Sequence, residues 1–381
     1  MNQKHINELI EAALAIEAED AKHAGTLGFV ARVLAQATLP HKATPDNTFT
    51  RRNGFFSLAI MAHPDVGLPY GSIPRLLLSW LTTEAIRTRS PVLELGPTLS
   101  DFMAELGLAT NGRVTGGATG NITRLRNQTE RLFASSISCR YKDETTTQGV
   151  GFNITKDYKL WWDPKSPDQL PLWKSTVTLG TDFFNEVIDR PVPIDLRAIK
   201  VLKRSPLALD IYCWLTHRMA YLQKDTVIPW PLLQLQFGSD YADDAQGLRD
   251  FKKNFLKQLK AVHVIYDKAK VAEVEQGLLL KPSPPHVARL EPPAPWERLR
   301  HTAAVIRADA ASTELAGLLE SPAIRLKTST YEKAKHAAPR LDVYALEQEW
   351  REWIAKKGEN PQNPDAAFIG FCRRKAQPKK P

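Results

Sequence analysis

SPLALDIYCWLTHRMAYLQKDTVIPWPLLQLQFGSDYADDAQGLRDFKKNFLKQLKAVHVIYDKAKVAEVEQGLLLK, residues 205–281, is the stretch whose reading decides the fold. Ser205 and Pro206 open a helix that runs to about Leu222. A short helix follows at Pro231–Phe237, then a turn at Gly238, then a long helix at about Ala245–Ala261. Val262–Tyr266 and Gly277–Lys281 read as two strands, joined by a basic turn with Lys268 and Lys270. Three helices followed by a two-stranded wing is the layout of a winged helix, whose third helix enters the DNA major groove. Charge geometry supports that reading. At 100° per residue, Leu248, Phe251, Phe255 and Leu259 share one face of the third helix, and Arg249, Lys253, Lys257 and Lys260 share the other. Lys252 adds a further cation on this helix.

Working outward, the same order recurs upstream. Ser72 and Pro74 open a helix to about Thr88 that buries Leu77, Trp80 and Leu81. Thr98 or Ser100 caps a short helix that ends at Gly107. The Gly-rich stretch 112–120 leads to a longer helix at Asn121–Ser135. Its apolar positions are Ile122, Leu125, Leu132 and Phe133, opposed by Arg124, Asn127, Gln128 and Arg131. Two strand-like segments, Ser136–Tyr141 and Gly149–Ile154, then supply a wing whose turn carries Lys142. The two units share a pattern without matching as sequences.

The fold class expected is α+β, mostly α: two tandem winged helices and a C-terminal helical module. The divisions are an N-terminal helical segment at 1–48, winged-helix domains at 49–165 and 166–281, a linker at 282–295 and the C-terminal module at 296–381. Residues 5–24 read as an amphipathic acidic helix within the first segment, assigned to oligomer or partner contacts, and Phe55–Met61 as a strand. Six prolines in 282–295 mark a semi-rigid spacer. Beyond it Leu346, Trp350 and Trp353 fall at helical spacing, with Phe368 and Phe371 after them, and read as a small core. Arg373, Arg374 and Lys375 open a basic tail suited to single-stranded DNA or a protein partner.

The chain has 381 residues, 43% of them hydrophobic, which suits folded domains with buried cores. A net charge of +9 points to an anionic partner. No apolar run approaches the roughly 18 residues that span a bilayer, and the acidic N-terminus is unlike a signal peptide. A cytoplasmic protein is therefore expected, with nucleic acid rather than membrane as its anion. Cys139, Cys213 and Cys372 are far apart and lack zinc-ligand spacing, so they read as reduced, half-buried thiols.

The motifs of enzymes are missing. There is no GxxxxGK[ST] loop, no HExxH and no GxSxG. The nine histidines include no His-hydrophobe-His pair of the kind a nicking initiator uses. The expectation is no enzyme, no cofactor, no metal and no catalytic residue. Gln234–Phe237 loosely matches a sliding-clamp-binding peptide, but its place in a short helix favours buried packing.

Several segments resemble, in order, the RepA-type replication initiators of bacterial plasmids. They are GLPYGSIPRLLLSWLTTEAIRT (67–88), TLSDFMAELGL (98–108), GNITRLRNQTERLF (120–133), SPLALDIYCWLTHRM (205–219), FKKNFLKQLKAV (251–262) and GLLLKPSPPHV (277–287). The resemblance implies tandem winged helices that bind repeated duplex sites (iterons) at a plasmid origin, open it and recruit the host helicase and replication proteins, with self-association off DNA a further partner. The DNA-contacting residues expected are Arg113, Arg124, Asn127, Gln128, Arg131 and Lys142 in the first unit. In the second they are Arg249, Lys252, Lys253, Lys257, Lys260, Lys268 and Lys270. Arg and amide side chains suit base edges, and lysines suit phosphates. A winged-helix transcriptional repressor is the rival reading, since fold alone does not fix function, and a nicking initiator is a weaker one.

Overall fold

A computed structural model describes residues 3–288 except 54–55, 97, 109–119, 143–146, 161–174, 190 and 239, and scattered positions between 330 and 376. The chain forms two compact units, Met1–Leu290 and Glu291–Pro381. The first begins with α1 (Gln3–Ala18), β1 (Leu27–Ala31), α2 (Arg32–Gln36), β2 (Thr48–Asn53) and β3 (Phe56–Met61). Next come α3 (Ser72–Thr88), β4 (Val92–Glu94), α4 (Leu99–Glu105), α5 (Asn121–Phe133), β5 (Ser136–Lys142), β6 (Thr147–Asn153), β7 (Thr155–Lys159) and β8 (Thr176–Leu179). Then follow α6 (Thr181–Asp189), β9 (Pro191–Asp195), α7 (Leu196–Leu202), α8 (Pro206–Met219), β10 (Thr226–Pro229), α9 (Trp230–Phe237), α10 (Ala245–Ile265), β11 (Val271–Val274) and β12 (Gly277–Leu280). The class is α+β with small antiparallel sheets, as the sequence predicts.

Local chemistry fixes the helix starts. The Ser205 hydroxyl accepts from the Ala208 N–H at 3.2 Å, with Pro206 in the first turn of α8. Asp244 accepts from the Gly247 N–H at 2.6 Å and caps α10. Thr98, not Ser100, caps α4 by accepting from the Asp101 N–H at 3.1 Å. Phe251 and Phe255 on α10 are fully buried. Burial at that level stabilises by about 3–6 kcal/mol for the pair.

One order of elements occurs twice. Helix, strand, short helix, long helix and two strands appear as α3-β4-α4-α5-β7-β8 and as α8-β10-α9-α10-β11-β12. The sheets agree too: β4-β8-β7 in the first and β10-β12-β11 in the second, with the last strand central in each. Between the two sets, β1 pairs antiparallel with β9, centred on Phe29 opposite Pro193, which relates the strands by a local two-fold axis. The first set also carries two hairpins, β2-β3 and β5-β6, joined in a four-stranded sheet of order β2-β3-β5-β6.

Several expectations change. Val262–Tyr266 is not a strand: α10 continues to Ile265, and the Tyr266 N–H closes on the Val262 carbonyl at 2.8 Å. Val262 and Ile265 extend the buried series Phe251, Phe255, Leu259, so helical periodicity overrides the strand preference of a β-branched run. The segments 136–141 and 149–154 are strands, but they pair with β3 and with each other, not with β4. The hairpin that corresponds to β11-β12 is β7-β8, whose connection 161–174 lies outside the described residues. A division at 165/166 therefore falls between two paired strands. Within residues 1–48, β1 is paired with β9 and Leu9 of α1 is buried. The predicted helix 5–24 spans Gln3–Ala18. The prolines at 282–285 are not all spacer either. Tyr266 Oη donates to the Pro284 carbonyl at 2.5 Å, and His286 lies 2.7 Å from the Tyr212 hydroxyl.

The second unit is described by α11 (Pro364–Ala376) and a few helical positions before it. Trp350 and Phe368 are fully buried with ring centroids 5.2 Å apart, the core the sequence predicts. Trp353 is 44% exposed and sits beside Phe371 at 6.2 Å.

Candidate nucleic-acid interface

The buried stripe of α10 seats it against α8 and α9. The opposite side is solvent-facing and carries Arg249, Lys253, Lys257 and Lys260, all exposed. Lys268 and Lys270, in the turn before β11, are exposed as well. Asp240, Asp243, Asp244 and Asp250 lie around the start of the helix and are exposed. The basic surface therefore begins at Arg249 and runs toward the helix C-terminus and the β11 turn. Arg249 is held by Gln246, whose Oε1 accepts from it at 2.7 and 3.1 Å.

Lys252 does not belong to this surface. Its Nζ is 2.8 Å from Glu273 of β11 and 5.0 Å from the centroid of the Trp230 ring. It ties α10, α9 and β11 together, and its charge is already partnered.

On α5 the exposed side chains are Arg124, Arg126, Asn127 and Glu130. Gln128 and Arg131 face inward instead. Gln128 is 6% exposed, and its Oε1 accepts from the Tyr70 N–H at 2.8 Å. Arg131 donates to the Leu68 carbonyl at 3.1 Å and lies 5.4 Å from the Tyr70 ring centroid. Gly67, at a φ of 77°, brings the loop over the Arg131 guanidinium. The loop before α3 therefore covers one flank of α5, and the free face is turned by roughly 70° from the one that spacing suggests. That turn exposes Arg126, which the sequence reading missed because no helical wheel shows a covering loop. Lys142 is exposed at the end of β5, on the inserted hairpin. Arg113 lies outside the described residues. In the C-terminal unit Arg373 and Arg374 are exposed on α11, while Lys375 is ion-paired with Glu349.

Behind the two long helices, α3 and α8 are joined by a buried ionic cluster that the sequence did not reveal. Arg75 Nε and Nη2 each donate to Asp210 at 2.7 Å, and His41 Nε2 lies 2.7 Å from the same carboxylate. Arg75 also donates to the carbonyls of Gly71, Leu39 and Pro40 at 2.6, 2.7 and 3.2 Å. Burial holds His41 below its usual value despite the Asp210 contact. Burial raises Asp210, but Arg75 and His41 outweigh it and leave the carboxyl below its ordinary range. The nearby Arg51 is 1% exposed, and burial brings it down to about 10.

The thiols are inert by the same physics. Burial pushes Cys139 up to about 12 and raises Cys213 and Cys372. Gln236 and Phe237, from the clamp-like peptide, are buried in α9. Among the described residues no group of three His, Cys, Asp or Glu is placed to hold a metal. Among them, too, no helix is long and apolar enough to cross a membrane.

Residues 68–231 match the family described as plasmid encoded RepA protein. The resemblance read from the sequence is borne out over those residues, and the match supports a plasmid replication-initiator role. It ends before the long basic helix α10. No curated protein matches. Among solved structures, domains 2 and 3 of RctB are similar at 12% identity and a TM-score of 0.41, covering 64% of this chain and 93% of that one.

Proposed function

From the RepA match over residues 68–231, we propose that the chain is a plasmid replication initiator that binds repeated duplex sites at an origin through two tandem winged helices. The observation that carries this reading is the repeated order α3-β4-α4-α5-β7-β8 and α8-β10-α9-α10-β11-β12 with the same sheet order. In each set the long helix is the recognition helix and the closing hairpin the wing. α10 and its turn contact phosphates through Arg249, Lys253, Lys257, Lys260, Lys268 and Lys270. α5 reads bases through Arg124 and Asn127, with Arg126 beside them. Two such modules on one chain grip successive groove faces, and the link between them raises the second module's effective concentration.

Action is by binding alone, with no catalytic residue, cofactor or metal. Several copies bound in phase bend and open a weak duplex nearby, and the C-terminal unit contacts host replication proteins or exposed single strand. Footprinting the purified protein on the DNA flanking its own gene tests this. Protection of tandem repeats beside an AT-rich stretch is expected. Protection of one inverted repeat at a promoter would assign the protein to transcriptional repression.

A further inference from the structure

The sheet β2-β3-β5-β6 has one face turned to the core through Leu58, Ile60, Ile137, Cys139 and Phe152, all buried. Its other face carries the exposed residues Thr50, Arg52, Ser138 and Arg140. The register puts Arg52, Ser57, Arg140 and Gly149 in one rung, and Thr50, Ala59, Ser138 and Gly151 in the next. Residues opposite one another in antiparallel strands share a face. Arg52, Arg140 and Lys142 are exposed there. Side chains between them are short, so the surface is flat, with cations standing at one end.

Three observations say what covers it. First, charge: none of the four strands contains an aspartate or glutamate. Arg52, Arg140 and Lys142 have no ion pair with another described residue, while Asp143 and Glu144 lie outside the described residues. Second, spacing: Arg52 and Arg140 sit two strands apart in one rung, about 10 Å, within the reach that two long side chains need to hold neighbouring phosphates of one strand. Third, the glycines: Gly149 and Gly151 are not required by the fold. A Cβ at either would meet only a carbonyl oxygen, at 3.8 or 3.9 Å. Glycine weakens a strand and marks close approach of another backbone. An acidic or apolar protein surface would leave the flat lane without a reason, whereas a phosphodiester backbone uses both the lane and the cations.

We propose that this inserted sheet is a third nucleic-acid surface, holding a phosphate backbone through Arg52, Arg140 and Lys142. It rests on the DNA-binding reading above but not on the same residues. Among the described residues the second set of elements has no counterpart of it, so the two sets differ in how much DNA they cover. The occupant is duplex continuous with the site held by α5 and α10.

The test uses the full chain and two probes, a 40-bp duplex of mixed sequence and a 30-nucleotide thymidine oligomer, titrated by fluorescence anisotropy over a salt series. Arg52→Gln with Arg140→Gln should lower the slope of log K against log salt by about one unit per lost contact. Ser138→Lys, on the same face, should raise affinity for that probe. A change on the duplex is expected, and one confined to the oligomer would overturn the duplex assignment in favour of single strand. Unchanged slopes on both probes, with Ser138→Lys also neutral, would overturn the proposal. Lys253→Ala with Lys257→Ala runs in parallel. An effect there without one at the sheet sinks only the sheet, and the converse sinks only the helix reading.

Discussion

Replacing Asp210 with alanine should cost about 3 kcal/mol of folding stability. The carboxylate is 7% exposed and accepts two hydrogen bonds from Arg75, with His41 at its second oxygen. Removing one partner of a buried pair costs roughly 3–5 kcal/mol, because the other charge is left uncompensated. The low end applies here, since Arg75 keeps the carbonyls of Gly71, Leu39 and Pro40 as acceptors. That loss is a large part of a typical total of ~5–15 kcal/mol. Urea titration of the full chain, followed by circular dichroism, measures it as a lowered midpoint at unchanged slope. A loss below about 1 kcal/mol would show that the cluster behaves as a surface pair, and the argument from its burial would fail.

The pH dependence follows from the same groups. His41 and Asp210 both titrate below their ordinary values of 6.5 and 3.8 when folded, so each contributes stability above its ordinary value and loses it as pH falls toward the folded one. Stability should fall in a first step below 6.5 and again below 3.8, and His41→Asn should shrink the first step in urea midpoints taken across pH, the remainder coming from His286, which burial also holds low. Gln128→Ala should cost about 1–3 kcal/mol of stability by orphaning the Tyr70 N–H, and leave base preference alone. Arg124→Ala or Asn127→Ala should instead relax preference by about 1–3 kcal/mol at one base position in competition assays. Lys253→Ala and Lys257→Ala should each lower the salt slope by about one unit, whereas Lys252→Ala should leave the slope unchanged, because Glu273 already neutralises it. Truncation after Leu290 should keep duplex binding in a gel shift and abolish plasmid retention; truncation after Lys281 should also destabilise the remaining unit, since it removes the His286 contact with Tyr212.

What could be read from the sequence was whatever depends on neighbours along the chain. The cap at Ser205, the apolar stripe of α10 and its exposed lysines all follow from spacing of three and four residues. The strands that failed were those whose identity lies in a distant partner. β5 and β6 alternate well, but alternation does not say whether β3 or β4 lies alongside. Gln128 and Arg131 failed for a related reason: a loop some sixty residues upstream buries that flank, at sequence separations of 58 and 63. Lys252 is paired with Glu273 of β11, a partner that spacing along α10 does not reveal.

The same distinction bears on how the two sets of elements within the first unit are held together. The antiparallel β1–β9 pair has a local two-fold axis, and two identical units joined across such an axis would carry identical charges at like positions. Here Arg75 is the fourth residue of α3 and Asp210 the fifth of α8, nearly equivalent places occupied by opposite charges. Only units with different sequences can do this. An arginine opposite an arginine would be repelled at low dielectric, and the buried bidentate pair could not form. The asymmetry that hides the repeat from sequence comparison is therefore what lets the contact be a salt bridge. It ties α3 to α8 from inside, away from the exposed cations of α5 and α10.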